Sequence, residues 1–286
     1  MQNHPAQRTG VMAQPSPTVN PIVETYSRLA EYYDDERNFR SCWGQAGEKA
    51  LASLRPKAKA RLILDVGCGT GRALATLARN GPSGVRFVGI DPAENMRKLA
   101  LGRLRPFPNV QIQDGSFESI PLETGSVDYL FSIFAFHWTT DPDAAVEEIR
   151  RVLTPTADVD LFFIGRQNGR EFIRQTTPIF MRQMGPALLL ESARMRKQLT
   201  KEEAYRLFGK AFPANELAID ESYHTYHDTL EGHWGWWVRI EGHFMRIPPD
   251  RKEHCDREVK NALARLMEPE GIPYTIHQLH VKVRRG

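Results

Sequence analysis

Two acidic residues flank a glycine-rich turn, and their types and spacing are suited to holding a nucleotide-like ligand. Asp65 directly precedes the segment that contains Gly67, Gly69 and Gly71, and Asp91 follows further along the chain. Because glycine has no Cβ, the backbone of such a turn can lie directly against a ligand. A carboxylate at the position of Asp91 suits the two hydroxyl groups of a ribose. Asp65 would repel a pyrophosphate but would attract a cationic group.

The residues around the turn predict the elements that position it. Apolar strand formers fill Arg61–Val66, which is typical of a buried parallel strand, and the glycines follow at its end. A helical pattern begins at Arg72, and a second apolar run, Val85–Ile90, ends directly before Asp91. Both acidic residues therefore belong to the ends of predicted strands.

The alternation of strands and helices continues along the chain and predicts an α/β fold. Strands are predicted at Arg61–Val66, Val85–Ile90, Val110–Gln113, Val127–Phe134 and Val159–Gly165, and helices at Arg72–Arg79, Ala93–Arg103 and Pro142–Leu153. In such sheets, ligands bind at the carboxyl ends of the strands. The acidic residues and the glycine turn fall at these ends.

The spacing of the glycines distinguishes between nucleotide ligands. A dinucleotide-binding turn follows G-x-G-x-x-G, whereas this turn reads G-x-G-x-G and has Arg72 where the last glycine would be. The segment Asp65-Val66-Gly67-Cys68-Gly69-Thr70-Gly71, together with Asp91, resembles motif I and the ribose-binding acid of class I methyltransferases that depend on S-adenosylmethionine (SAM). An NAD-dependent oxidoreductase is disfavoured by Asp65 and Arg72.

The resemblance implies a Rossmann-like sheet of seven strands, mostly parallel with the last strand antiparallel, and helical lid insertions. It implies SAM as the cofactor and S-adenosylhomocysteine as the product. The chain departs from the family at Pro155–Asp158, where a Pro-Gly-Gly turn is usual. The layout is similar to that of the trans-aconitate and malonyl-carrier methyltransferase group.

The resemblance also implies contacts with each part of the cofactor. Tyrosines of an N-terminal helix approach the methionine carboxylate, an acid after the third strand accepts from the adenine amino group, and apolar side chains cover the adenine ring. The implied cofactor-binding residues are Tyr26, Tyr33, Asp65, Gly67, Cys68, Gly69, Gly71, Asp91, Pro92, Met96, Asp114, Gly115, Ser116, Phe117, Ser132 and His137.

The end of the fourth strand should face the transferred methyl group. His137 and Trp138 follow this strand and resemble the His-Trp pair of trans-aconitate-type methyltransferases. His137 is predicted to orient an acceptor or to take a proton near neutral pH. The alternative is a structural histidine at the end of the strand.

The segment after the fifth strand is predicted to form a substrate lid. Arg166, Arg170 and Arg174 could clamp a carboxylate or phosphate, and Glu171 beside them is a candidate base. The alternative is a solvated charged helix face. The aromatic stretch around Trp234 and Trp237 could line the acceptor pocket with Trp138, or could pack the lid onto the core.

This organisation predicts four parts of the chain. They are a disordered tail over 1–20, a helical lid over 21–60, a SAM-binding core over 61–168, and a substrate cap with the last two strands over 169–286.

Composition limits the class of protein. The chain has 286 residues, 41% of them hydrophobic and 26% charged, and a net charge of +3. These values predict a soluble protein without a membrane span or a nucleic-acid partner. Three separated cysteines predict a reducing, cytoplasmic location. No metal is predicted, because the histidines fit no standard spacing; Mg²⁺ would accompany only a diphosphate-bearing acceptor.

The sequence thus predicts an enzyme that transfers a methyl group from SAM to an O, N or C atom of a small, apolar and partly anionic metabolite. It would act as a monomer or homodimer, plausibly in specialised metabolism. The alternatives are a SAM-binding enzyme that does not methylate, such as a cyclase, and an RNA or protein methyltransferase.

Overall fold

The computed structural model describes residues 20–81 and 84–285, and its centre is one seven-stranded sheet. The strands are β1 (Leu62–Val66), β2 (Arg86–Ile90), β3 (Val110–Gln113), β4 (Val127–Ile133), β5 (Leu153–Ile164), β6 (Leu217–Asp228) and β7 (Ile272–Val283). Their order across the sheet is β3-β2-β1-β4-β5-β7-β6, and β7 runs antiparallel to both of its neighbours. The predicted Rossmann-like fold is confirmed. The predicted tail falls outside the described residues except for Asn20, which caps the first helix.

Both faces of the sheet are covered by apolar layers, as the continuous apolar runs predict. All five residues of β1 are buried. Leu64 and Val66 belong to the cluster on one face, and Ile63 belongs to the cluster on the other. Because both faces are buried, ligands can reach the central strands only at their ends.

Ten helices accompany the sheet within the described ranges. They are α1 (Pro21–Tyr33), α2 (Glu36–Arg40), α3 (Cys42–Ser53), α4 (Arg72–Asn80), α5 (Glu94–Leu104), α6 (Pro142–Val152), α7 (Arg170–Arg194), α8 (Lys201–Phe208), α9 (Leu230–Arg239) and α10 (Pro249–Ala264). The crossover helices α4, α5 and α6 begin within one residue of the predicted positions. Helix α7 is kinked near its middle, because Gly185 has φ +77° and Pro186 follows.

The lid helices form an apolar cluster together with side chains of β6 and β7. Side chains of α1, α3, α7, α9 and α10 pack together in this cluster, and Trp237 at its centre is fully buried. The lid is therefore a packed layer, and the spaces it leaves at its inner side are shaped by large aromatic side chains.

Residues 155–158, which replace the usual turn of the family, lie within β5, and this strand begins at Leu153 and not at the predicted Val159. This strand begins directly after α6, and its pairing with β4 shifts between Val127↔Leu153 and Tyr129↔Asp158. The irregularity lies at the amino end of β5, whereas the glycine turn lies at the opposite edge of the sheet.

Candidate functional site

The chain bends sharply at the carboxyl end of β1, where three glycines have positive φ. The φ angle is +74° at Gly67, +53° at Gly69 and +75° at Gly71, a region in which a Cβ causes strain. A Cβ on Gly71 would also lie 2.7 Å from Cδ1 of Leu104 in α5. A Cβ on Gly69 would meet no described atom within 4 Å. Gly69 therefore borders open space in which a ligand can contact the backbone.

Asp91 is fixed beside this bend by two backbone hydrogen bonds. Its Oδ2 accepts from the amide of Gly69 at 2.9 Å, and its Oδ1 accepts from the amide of Ala93 at 2.8 Å. Each oxygen keeps further acceptor capacity, which is the capacity a pair of ribose hydroxyls requires. Burial raises the pKa of Asp91, although both backbone hydrogen bonds act in the opposite direction.

A cavity of about 350 Å³ adjoins this carboxylate and is called the Asp91 cavity. Met96 and Phe117 contribute buried apolar walls to it. The implied cofactor-binding residues that line it are Tyr26, Tyr33, Gly67, Gly69, Asp91, Pro92, Met96, Ser116 and Phe117. Polar atoms on one side and flat apolar walls on the other suit a nucleoside.

A second cavity, of about 180 Å³, is called the Arg196 cavity. Its aromatic walls are the side chains of Tyr26, Tyr33, Phe39, Trp43, Phe134, Trp138, Trp236 and Phe244. It shares Gly67, Gly69 and Trp138 with the Asp91 cavity. The two cavities therefore adjoin at the glycine bend, and a ligand that spans the bend would reach both.

Asp65 lines the Arg196 cavity next to the bend. Its side chain is buried and has no hydrogen-bond or ion-pair partner among the residues that the structure describes. Burial raises the pKa of Asp65 well above its usual value, and the charge of Asp91 adds to this rise. A buried carboxylate without a partner is costly, and a cationic ligand would relieve that cost.

His137 lies in a short 3₁₀ turn after β4 and also lines the Arg196 cavity. The ring is buried beside Trp138, and its Nδ1 has no partner within the described part of the chain. Burial lowers the pKa of His137 well below its usual value, and the nearby charge of Arg196 lowers it further. The imidazole is therefore neutral near pH 7 and can exchange hydrogen bonds with a ligand.

Arg196 and Glu241 form an ion pair in the wall of the same cavity. Nη2 of Arg196 donates to Oε1 of Glu241 at 2.5 Å. The guanidinium carbon lies 5.0 Å from the ring centre of Trp138 and 5.8 Å from that of Phe244. This pair is not recognisable in the sequence, because the two residues lie in separate connecting segments and no local spacing relates them.

The arginines predicted to bind substrate lie elsewhere. Arg166 pairs with Glu203 at 2.6 Å, Arg170 pairs with Glu171 at 3.1 Å, and Arg174 is exposed on the surface of α7. None of the three lines either cavity. Arg170 and Arg174 lie on an exposed face of α7, whereas Arg166 lies in the turn before this helix, and a role of the three in substrate binding stays a prediction.

Glu171, the candidate base, is also outside both cavities. Its carboxylate accepts from the amide of Thr275 at 3.1 Å and from the hydroxyl of Thr275 at 2.6 Å. Although burial raises the pKa of Glu171, these hydrogen bonds lower it to a net value below the usual one. These two hydrogen bonds therefore link α7 to β7.

The aromatic stretch of α9 divides between packing and cavity walls. Trp237 is fully buried and donates to Asp256 at 2.9 Å, and Trp234 lies beside Lys260. Neither lines a cavity, whereas Trp236, which was not singled out in the sequence, lines the Arg196 cavity. Trp138 was predicted to bind substrate and lines both cavities.

Some implied cofactor contacts are displaced from the cavities. The side chain of Asp114 is 72% exposed and pairs with Arg97 at 3.0 Å. Gly115 packs near Pro121, and Ser132 is buried within β4 without a partner for its hydroxyl among the described residues. Cys68 lines the Arg196 cavity. Gly71 lines neither cavity, and its lack of a Cβ allows α5 to pack closely against the bend.

Neither a metal-ligand cluster nor a membrane-crossing helix occurs within residues 20–81 and 84–285. No group of three or more His, Cys, Asp or Glu side chains is arranged to hold a metal ion. None of the helices there combines the length and apolar character that crossing a bilayer requires.

A family model described as a methyltransferase domain matches residues 64–159, which contain the bend, Asp91 and His137. An uncharacterized methyltransferase of Mycobacterium tuberculosis is 33% identical over 138 residues, covering 48% of this chain and 54% of the relative. A malonyl-[acyl-carrier protein] O-methyltransferase of Yersinia pestis is 33% identical over 138 residues, covering 47% and 46%. The chain thus spans about half the length of these relatives.

Similarity to solved structures extends over most of the chain. A SAM-dependent methyltransferase of Thermotoga maritima, described as a possible histamine N-methyltransferase, has a TM-score of 0.55 with 17% identity; the match covers 93% of this chain and 100% of that one. The [4+2]-cyclase SpnF has a TM-score of 0.58 with 16% identity and coverage of 96% and 99%. At such identities these matches establish the fold alone.

Proposed function

We propose that this protein, a class I methyltransferase by its fold and by its residues 64–159, transfers a methyl group from SAM to a small molecule. One observation carries the proposal. The Asp91 cavity and the Arg196 cavity adjoin at the glycine bend, and the unpartnered Asp65 lies at this junction. A nucleoside-binding cavity is thereby joined to an aromatic chamber through a site for positive charge.

The residues of the Asp91 cavity fit the adenosyl part of SAM. Asp91 would accept hydrogen bonds from the ribose hydroxyls, and the backbone at Gly69 would contact the ligand directly. Met96 and Phe117 would pack against the adenine ring. Asp65 would balance the positive charge of the ammonium or sulfonium group.

When bound, SAM supplies a methyl group on a sulfonium, so the protein must mainly align the acceptor and exclude water. The aromatic walls of the Arg196 cavity perform the second task. Neutral His137 would accept a hydrogen bond from the acceptor or donate one to it. Where methylation releases a proton from the acceptor, the imidazole would receive that proton. A general base is not required for a carboxylate acceptor.

The volume of the chamber, about 180 Å³, and its aromatic walls support a small-molecule acceptor over RNA or protein. The name of one similar protein points the same way. It is a demethylmenaquinone methyltransferase of Lactobacillus johnsonii, 31% identical over 145 residues. The acceptor atom can be O, N or C, and Mg²⁺ would be needed only for a diphosphate-bearing acceptor.

Calorimetry with SAM tests the cofactor assignment. We expect the wild-type protein to bind SAM and Asp91→Ala to bind it at least tenfold more weakly. Asp143→Ala, which removes an exposed carboxylate on α6, is the matched control and should bind normally. Intact binding by Asp91→Ala would refute the ribose assignment.

Methyl transfer itself is tested by incubating the protein with metabolite extracts and SAM labelled in its methyl group. We expect a labelled small product and an equal amount of S-adenosylhomocysteine. The second candidate is a non-methylating reaction on the same fold, of the kind that the name of the [4+2]-cyclase SpnF describes for that protein. That candidate predicts consumption of a substrate without S-adenosylhomocysteine.

A further inference from the structure

The side chain of Arg196 holds hydrogen-bonding capacity that the described residues do not use. A guanidinium carries five N–H donors, and the one hydrogen bond from this group to a described residue goes to Glu241. The side chain is only 22% exposed and lies in the wall of the Arg196 cavity. A largely buried arginine with free donors in an aromatic chamber is suited to binding a planar oxyanion.

We propose that Arg196 is the specificity-determining residue of this chamber and binds a carboxylate carried by the acceptor. The inference rests on the proposed function and adds the chemical class of the acceptor to it. Glu241 acts as a positioning residue, because its carboxylate holds the guanidinium against the faces of Trp138 and Phe244. The free edge of the guanidinium then remains available to the ligand.

The charges of the chamber favour a monoanion over a phosphate. Arg72 is the other cationic side chain among the described residues that line it, and Arg72 is paired with Glu48 at 3.0 Å. Because the charge of Arg196 is balanced by Glu241 and that of Arg72 by Glu48, the chamber lacks the positive charge that a phosphate dianion requires. A carboxylate needs one guanidinium edge, which Arg196 supplies.

The same charges disfavour a cationic acceptor. Glu241 is already neutralised by Arg196, and Asp65 lies at the bend, where the proposed cofactor brings its own positive charge. A second cation would therefore meet Arg196 and the sulfonium without a free carboxylate.

The carboxylate bound at Arg196 is an anchor and is distinct from the methylated group. Ion pairing with a guanidinium withdraws charge from the carboxylate oxygens and weakens them as nucleophiles. The acceptor must then carry a second group that reaches the glycine bend. The surrounding rings of Trp138, Trp236 and Phe244 predict an apolar or aromatic body between these two groups.

Matched acids and amides test the subsite directly. Benzoate and benzamide, phenylacetate and phenylacetamide, and indole-3-acetate and indole-3-acetamide would be titrated into protein loaded with S-adenosylhomocysteine. We expect at least one acid to bind tenfold or more tightly than its amide. Absence of this preference in all three pairs, including absence of any binding, would overturn the proposal.

Four variants test which side chain causes this preference for acids. Arg196→Gln should abolish it, and Arg194→Gln, an exposed arginine of the same segment, should leave it unchanged. Arg196→Gln leaves the carboxylate of Glu241 without its ion-pair partner. The double variant Arg196→Gln/Glu241→Gln removes both charges together and should also lose the preference. Glu241→Gln alone should retain it. A double variant that still prefers acids would refute the role of Arg196.

The proposed function and the subsite fail in different ways. If S-adenosylhomocysteine does not bind, the cofactor assignment fails, and the acid–amide titrations on ligand-free protein still decide the subsite. If labelled SAM gives a product, that product should be retained on an anion-exchange resin. A labelled product without an acidic group would overturn the carboxylate subsite while leaving methyl transfer intact.

Discussion

Asp34, at the end of α1, accepts hydrogen bonds on both of its carboxylate oxygens from Nη2 of Arg103 in α5, at 2.9 and 2.7 Å. Thr70 of the glycine bend joins the pair, since its hydroxyl donates to Asp34 at 2.7 Å and its carbonyl accepts from Arg103 at 2.5 Å. Helix α1 carries Tyr26 and Tyr33 over both cavities. The cluster therefore fastens the lid to the bend that the proposed cofactor would contact.

Replacing Arg103 should loosen this lid. In Arg103→Ala, Asp34 and Thr70 lose a partly buried partner, at a cost of about 1 kcal/mol. We expect SAM to dissociate about fivefold faster, which stopped-flow tryptophan fluorescence would measure. Arg37→Ala removes an exposed ion pair with Asp35 and should leave the rate unchanged. An unaltered rate in Arg103→Ala would mean that the cluster does not control access.

Asp65→Asn should have opposite effects on stability and on binding: the ligand-free protein should become more stable, and SAM should bind more weakly. Because burial raises the pKa of Asp65, the ionised form destabilises the folded state as pH rises from the unfolded pKa through the folded pKa. Because an amide cannot ionise, we expect the variant to stabilise the ligand-free protein at pH 7 by about 1–3 kcal/mol, the order of the desolvation cost of a buried group left unpaired. Urea unfolding would measure this gain.

The same variant should weaken SAM binding, because the carboxylate that balances the positive charge is gone. In the wild type, a bound cation favours ionised Asp65, so binding in the mildly acidic range should release protons. Calorimetry in buffers of different ionisation enthalpy would count them. Equal proton release by wild type and Asp65→Asn would contradict the assignment of Asp65.

The core could be predicted from the sequence because its signals are local. Strand β3 is found at the predicted residues, Val110–Gln113, and β1 begins one residue later than expected. An apolar run between two glycine or polar boundaries has few other ways to be buried. The bend and Asp91 were also recognisable, because backbone contact with a ligand restricts residue types at fixed spacing.

The acceptor chamber could not be predicted in this way. Arg196 and Glu241 meet only because α7, α9 and the loops after them pack over the sheet, and that packing depends on contacts distant in sequence. The spacing of Arg170 and Arg174 correctly places them on one helix face but does not tell which way that face points. In α9, helical geometry likewise shows that the three tryptophans point in different directions. Which of them lines the cavity depends on tertiary packing, and the structure shows that it is Trp236.

Stability should fall on mild acidification, because three buried histidines, His137, His233 and His277, have lowered pKa values and take up protons more readily in the unfolded chain. Burial lowers these three pKa values, so the unfolded chain binds protons first as pH falls below about 6.5. Their contribution is fully present above that pH and is lost below it, at up to about 1.4 kcal/mol per pH unit for each histidine. Urea unfolding between pH 7.5 and 5.5 would measure the slope. His137→Gln and His233→Gln should each flatten it, whereas His254→Gln on the surface should not.

The three tryptophans of α9 should respond differently to replacement by alanine. Trp237→Ala empties the centre of the lid and removes the hydrogen bond to Asp256, so we expect a loss of about 3–5 kcal/mol in urea unfolding. Trp234→Ala should cost less, since that ring is only partly buried.

Replacing Trp236 tests whether the aromatic segment lines the acceptor pocket or only packs the lid onto the core. Of the three tryptophans, Trp236 alone lines the Arg196 cavity. The conservative variant Trp236→Phe keeps an aromatic wall but leaves space beside the acceptor. We expect KM for the acceptor identified by labelling to rise about tenfold while SAM affinity stays unchanged. Trp234→Phe, the matched control, should alter neither quantity. If Trp234→Phe raises KM and Trp236→Phe does not, the acceptor lies on the other side of α9, and the chamber around Arg196 is not where it binds.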